Sequence, residues 1–155
     1  MCTKAYRRMW IIRRLKKLGA CHDNLLLVYT TQIRCTVEFA VASWNPGLTK
    51  AQIKQIERIQ KCALAIILAE EYVCYRNALT VTGLNSVESR RHTLCLEFAK
   101  KAIKHPKFSH WFELKPKQPY NTRAKTTRLK PVICRTKRYE KCPIAYLTKL
   151  LNENH

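Results

Sequence analysis

Aspartate occurs once in this 155-residue chain, at Asp23. Chemistry built on paired aspartates, two-metal phosphoryl transfer included, therefore has no residues to rest on. Glycine is almost as scarce, with three residues. That leaves no Gly-rich phosphate loop of either the dinucleotide or the P-loop kind. No apolar run reaches the roughly 18 residues that a bilayer-spanning helix needs. Acids as a class are few, 10 against 30 lysines and arginines, and the formal net charge is +20.

What is present is unevenly placed. Residues 1–22 carry Lys4, Arg7, Arg8, Arg13, Arg14, Lys16 and Lys17 with no acid. Residues 115–141 carry ten bases against Glu140. The rest of the chain is close to balanced, and hydrophobic residues make up 46%, enough for a core. A near-neutral body flanked by two basic blocks is the charge footprint of a polyanion binder. Solvated, mutually repelling tails are the alternative.

The eight cysteines are Cys2, Cys21, Cys35, Cys62, Cys74, Cys95, Cys134 and Cys142. They form no CxxC pair, so a zinc knuckle or ribbon lacks its spacing. His105, His110, Cys134 and Cys142 are the one ligand set worth naming, at undistinctive spacings. Arginines break the N-terminus where a secretory apolar stretch would lie. Reduced thiols in a nuclear or cytoplasmic setting, not a secreted disulfide framework, fit that context. No cofactor is implied.

The spacing predicts a helix over 3–18 ended by Gly19. It is poorly amphipathic, since Met9 and Ile11 lie about 200° apart. Its Arg-rich, acid-free composition also resembles a mitochondrial presequence. Asp23 or Asn24 is the expected cap of a helix over 24–43, apolar on most sides, with Arg34 and Glu38 one turn apart as an ion pair. Asn45-Pro46-Gly47 is a turn. Thr49 and Gln52 form a capping box ahead of a helix over 50–68. That helix puts Ile53, Ile56, Ile59, Ala63 and Ile66 on one face, and Lys54, Arg58 and Lys61 toward the other. A short helix over 71–80 precedes Gly83. Ser86 caps a helix over 87–104 with Val87, Leu94, Phe98 and Ala102 inward and His92 on the surface. From 105 to 142 prolines interrupt and periodicity is lost, so an extended, partly disordered segment is expected. Trp111 and Phe112 anchor it. Pro143 opens a final helix over 143–152, docked by Ile144, Leu147 and Leu150 or Leu151.

Four strings stand in order: IIRRLKKLG (11–19), VEFAVASWNPGLTKAQIKQIERIQKCAL (37–64), TGLNSVESRRHTLCLEFAKKAIKHPKFSHWF (82–112) and CRTKRYEKCPIAYLTKLLNEN (134–154). Together they resemble the C-terminal end of reverse transcriptases from non-LTR, LINE-type, jockey-like retrotransposons of animals. The resemblance spans essentially the whole chain. It departs at Cys62 and Ala65, where relatives tend to carry Arg, and at Cys142 and Ala145. In such enzymes the fingers and palm precede this region, and the palm carries a Tyr-x-Asp-Asp metal site. The resemblance thus implies a thumb-like helical element and the segment beyond it, which grips primer–template backbone without catalytic groups.

The sequence therefore predicts an all-α fold: a small bundle of about five helices over 1–104, a basic extended segment over 105–142 and a terminal helix over 143–155. The expected function is that of a non-catalytic piece of an RNA-directed DNA polymerase. Its partners would be the backbone of RNA, DNA or their hybrid, and the palm and fingers of the parent enzyme where present. Candidate phosphate contacts are Arg7, Arg8, Arg13, Arg14, Lys54, Arg58, Arg123, Lys125, Arg128, Arg135, Lys137 and Arg138. Tyr120 and Tyr139 are candidates for base stacking. No catalytic or metal-ligating residue is assigned. Two rival readings stay open: a translated remnant without independent function, and a membrane-surface protein attached through residues 4–18, with Trp10 and Ile12 inserted.

Overall fold

Gly19 and Gly83 terminate helices for the same physical reason. Each has positive φ, +80° and +64°, which a residue without Cβ adopts without steric penalty. Around Gly19, the Ala20 amide donates to the Leu15 carbonyl and the Gly19 amide to Lys16. Leu84 donates to Leu79, and Gly83 to Thr80, in the same pattern. Both are Schellman closures, which satisfy helix-end carbonyls.

The computed structural model describes residues 1–115 and 129–154. Among these it is all-α, with eight helices and no strand. They are α1 (Cys2–Lys17), α2 (His22–Glu38), α3 (Val41–Trp44), α4 (Lys50–Leu68), α5 (Tyr75–Thr82), α6 (Val87–Lys104), α7 (Lys137–Glu140) and α8 (Pro143–Glu153). The chain forms two compact units, Met1–Val41 with Leu48–Arg91, and Ala42–Gly47 with His92–His155. This division falls inside α6, whereas the sequence reading placed its boundary at 104.

In the first unit, α1 packs on α4 and α2. Ala5, Met9 and Ile12 are fully buried, and their spacing of four and three makes a narrow inward stripe. The expected helix over 24–43 is not one helix. It starts at His22 behind Cys21, so Asp23 and Asn24 lie within its first turn and are not its cap. It ends at Glu38, and Ala40 takes φ +51° before α3 begins. Within α2, Tyr29–Arg34 forms a π turn. The Thr30 and Thr31 hydroxyls donate to the Leu26 and Leu27 carbonyls there, a back-bonding that loosens the regular ladder. In an α-helix a four-residue spacing drifts by about 40° per step. The wider π turn offsets the drift, so Leu25, Tyr29, Ile33 and Val37 all face the core. Leu27 and Phe39 are exposed, so the apolar residues on most sides of this helix are not all buried.

α4 follows its pattern in part: Ile56, Ile59 and Ala63 of the expected face are buried, whereas Ile53 and Ile66 are half-buried. The Thr49–Gln52 capping box is present in both directions, and Ile56, Ile59, Ala63, Leu64 and Ile67 are buried. Each large one removed from water contributes about 1.5–3 kcal/mol. A polar relay is enclosed with them. The Tyr29 hydroxyl donates to Gln60 Oε1 at 2.9 Å, and Gln60 Nε2 donates to the Asn85 carbonyl at 2.9 Å. Burial is the main cause that drives the Tyr29 phenol far above its ordinary range. Glu57 accepts from the Tyr75 hydroxyl and from the Val87 amide at the start of α6. That places a carboxylate at the positive end of a helix.

Ser86 caps α6, its Oγ accepting from the Ser89 amide at 3.1 Å. The buried stripe is Val87, Arg91, Cys95, Ala99 and Ala102. It is rotated from the expected one: Leu94 is half-buried and Phe98 exposed. The small side chains at 95 and 99 allow close approach on a face that hydropathy alone does not select.

The second unit orders more than the sequence implied. Phe112 is buried and Phe108 stacks on Trp111, centroids 4.8 Å apart. Leu129 pairs with Leu114 in an isolated antiparallel bridge. Asn152 of α8 holds Leu129 from both sides, accepting from its amide at 2.9 Å and donating to its carbonyl at 3.1 Å. Thr136 caps the single turn of α7. Within the segment expected to be extended, Ser109–Trp111 and Lys137–Glu140 form helical turns, and 130–134 form no regular element. α8 begins with Pro143 in its first turn and buries Leu147, Leu150 and Leu151.

Candidate nucleic-acid interface

The inward stripe of α1 fixes what its other side presents. At 100° per residue, Arg7, Trp10, Arg14 and Lys17 fall opposite Ala5, Met9 and Ile12, with Arg13 on the flank. All four of these cations are exposed, and Trp10 is 62% exposed between them. On α4, Lys54, Arg58 and Lys61 are exposed. Lys61 Nζ sits 5.0 Å from the centroid of the Tyr75 ring.

Tyr6 links the two helices electrostatically. Partial burial is the main cause that raises its phenol above the ordinary value; the Cys62 thiol adds to the rise and the Arg58 guanidinium opposes it. The two helices pack directly on each other, so their exposed cations stand on adjoining elements.

Two bases of the N-terminal block turn inward instead. Arg8, expected to meet phosphate, donates from Nη1 to the Gln32 carbonyl at 2.6 Å and to Thr36 Oγ1 at 2.7 Å. It clamps α1 to the end of the π turn, where the Gln32 carbonyl also accepts from Thr36 Oγ1. Lys16 donates from Nζ to the Ile66 and Ile67 carbonyls at 2.5 and 2.9 Å. A cation there satisfies the negative end of α4.

In the second unit, Arg135, Lys137, Arg138 and Tyr139 are all exposed around α7. Arg135 and Lys137 line a cleft of about 660 Å³ with Lys149 and Asn152 of α8; Glu140 and Glu153 also line it. Tyr120, Arg123, Lys125 and Arg128 lie outside the described residues.

Among the described residues the ion pairs are His22–Glu71, Arg34–Glu38, Arg90–Glu38 and Lys130–Glu113. None uses a candidate phosphate contact. No three His, Cys, Asp or Glu side chains gather as a metal site among the described residues. None of the eight cysteines forms a disulfide, and Cys95 is buried. No single described helix is long and apolar enough to cross a membrane. Ile12 is buried, so it is not offered to a lipid surface as the membrane reading requires.

Such a surface can hold phosphates by charge and hydrogen bonds, and it can stack a base on Trp10. Sequence reasoning passed over that role of Trp10, because Ile11 and Ile12 mask the stripe when all apolar residues are weighed alike. Counting Ala5 with Met9 and Ile12 reveals it. The chain matches no protein-family model, no curated protein and no solved structure.

Proposed function

We propose that this chain is a non-catalytic, thumb-like piece of a non-LTR retrotransposon RNA-directed DNA polymerase, and that it binds the backbone of RNA, DNA or their hybrid without sequence preference. One observation carries the binding half of the reading. The exposed cations of α1 and α4 have no carboxylate within ion-pair distance among the described residues, whereas Arg34, Arg90 and Lys130 do. Cations left uncompensated on a folded face release counterions when they meet a polyanion, and that release drives sequence-independent binding. The family half rests on the four sequence strings.

The test is titration of a duplex of arbitrary sequence across a salt series. Log affinity should fall linearly with log salt, by about 0.9 for each phosphate neutralised. Equal affinity for unrelated sequences is expected. A flat salt response, or no binding at low salt, overturns the proposal.

A further inference from the structure

Arg34 is a charged side chain of the first unit that is nine-tenths buried and on the wall of a cavity: its side chain is 10% exposed, and it lines a pocket of about 310 Å³. The pocket lies where α2 meets the turn between α5 and α6. Thr30, Glu38, Asn85 and Arg90 also line it. Its volume is at the lower end of small-ligand sites, roughly 300–1,000 Å³.

The charges in that pocket do not cancel. Arg34 Nε donates to Glu38 Oε1 at 2.7 Å, and Arg90 Nε approaches the same oxygen at 3.5 Å. Two guanidiniums therefore share one carboxylate and leave one positive charge in a concave site. Arg34 makes that one side-chain hydrogen bond, through Nε, and the Arg90 guanidinium meets Glu38 as an ion pair without a side-chain hydrogen bond among the described residues. The forked Nη ends are the donors that match phosphate geometry. Glu38 fixes Arg34 by a hydrogen bond before a ligand arrives, and draws the 40% exposed Arg90 to the same site by charge. Asn85 is fixed beside them, its carbonyl accepting from Gln60 Nε2.

We propose that this pocket binds one phosphate group through Arg34 and Arg90. Two sources share that chemistry: a phosphodiester of a bound strand, and a free phosphate or phosphoryl ester. The inference stands apart from the cation faces of α1 and α4, because none of their residues lines the pocket.

Inorganic phosphate, titrated at constant ionic strength against chloride and followed by calorimetry, is the probe. Arg90→Gln removes one donor while Arg34 still pairs with Glu38, and should weaken phosphate binding roughly tenfold or more, the range of a charged hydrogen bond. Glu38→Gln keeps an acceptor for Arg34 but removes the negative charge, and should tighten phosphate binding. Opposite signs for the two variants are the signature. No phosphate binding by the wild type, or the same affinity in all three proteins, overturns the proposal. An oligonucleotide arm separates the sources. Competition by phosphate, with weaker strand binding in Arg90→Gln, identifies a backbone phosphodiester. Unchanged strand binding alongside lost phosphate binding identifies a free ion or ester. Absence of any strand binding, with phosphate binding intact, removes the proposed function and leaves the pocket.

Discussion

The cations of α1 and α4 and those of 135–138 are alike in exposure and unlike in construction. The first set stands on helices of 16 and 19 residues, each pinned by a buried stripe. The second stands on a four-residue turn capped by Thr136 and on the bend just before it. A pinned helix fixes the distances between its charges. Arg7 and Arg14 are about 10 Å apart along the axis of α1, of the order of three phosphate steps on one duplex strand. A single turn fixes much less. The comparison teaches that position on a packed scaffold, more than the density of charge in the sequence, decides which basic block can meet a backbone in a set register.

The scaffold is the place to break that comparison with the largest effect. Ile59 is 1% exposed in the middle of α4. Ile59→Ala removes buried carbons and leaves a cavity between α1 and α4, and should lower stability by about 2–5 kcal/mol. Chemical denaturation reads this directly. A midpoint unchanged from the wild type would remove α4 from the core and with it the rigid face of the comparison.

The next effect concerns binding itself. Arg7→Gln, Arg13→Gln and Arg14→Gln together should reduce the log–log salt slope on a duplex by about 2.7, three contacts at about 0.9 each. Arg135→Gln, Lys137→Gln and Arg138→Gln together should reduce it less. Equal or reversed losses would show that register on a packed helix does not matter here. Trp10→Ala sharpens the same contrast. It should weaken single-strand binding by about 1–3 kcal/mol through loss of stacking and leave duplex binding nearly unchanged.

Much of this was legible in the residues, and the failures have identifiable causes. The all-α class, the Thr49 capping box, the Gly19 and Gly83 stops, the Ser86 cap and the Arg34–Glu38 pair follow from local chemistry, and the structure contains them. Helix α2 misled because hydropathy treats Leu27 and Phe39 like Leu25 and Ile33, while the π turn and the break at Ala40 select one face. The inward stripe of α6 was misread because Arg91, Cys95 and Ala99 are not strongly apolar, yet they are what fits. Among the candidate cations, Arg8 was indistinguishable in sequence from Arg7. Its partners, the Gln32 carbonyl and Thr36, lie 24 and 28 residues away, and no local pattern reports contacts of that range. Arg90 carries no local signal either, because its partner Glu38 lies still farther away along the chain.

Asn152 tests the second half of the comparison. Its amide serves both backbone groups of Leu129, which is 4% exposed. Asn152→Ala leaves those groups without partners in a nearly dry setting, and should lower stability by about 1–3 kcal/mol. Hydrogen exchange should localise the effect, with faster exchange of the Leu129 and Lys130 amides and little change in α4. Uniform loss of protection across α4 would mean that the segment is not held locally by Asn152.

The smallest effect asks how the rigid scaffold responds to pH. Tyr29 is buried, and burial pushes its phenol far above the ordinary tyrosine value; the nearby Arg34 charge opposes this, while Glu38 and Glu57 reinforce it. In the unfolded chain the phenol ionises near pH 10. The folded state therefore retains a proton that the unfolded state releases. The stabilisation linked to that proton is complete below about pH 10 and is lost as pH rises toward the folded value, at up to about 1.4 kcal/mol per pH unit. Tyr29→Phe cannot titrate, but it strips Gln60 Oε1 of its buried donor. At neutral pH it should be less stable than the wild type by about 1–2 kcal/mol. Above pH 10 its stability should fall less steeply, so the two curves converge and cross. The other titrating groups are common to both proteins; Tyr75 couples to Tyr29, whose charge is one of the causes that raise its phenol, so its ionisation also enters the difference. Parallel curves from pH 7 to 12 would show that Tyr29 ionises as readily folded as unfolded, and the enclosed Tyr29–Gln60–Asn85 relay would then not be dry.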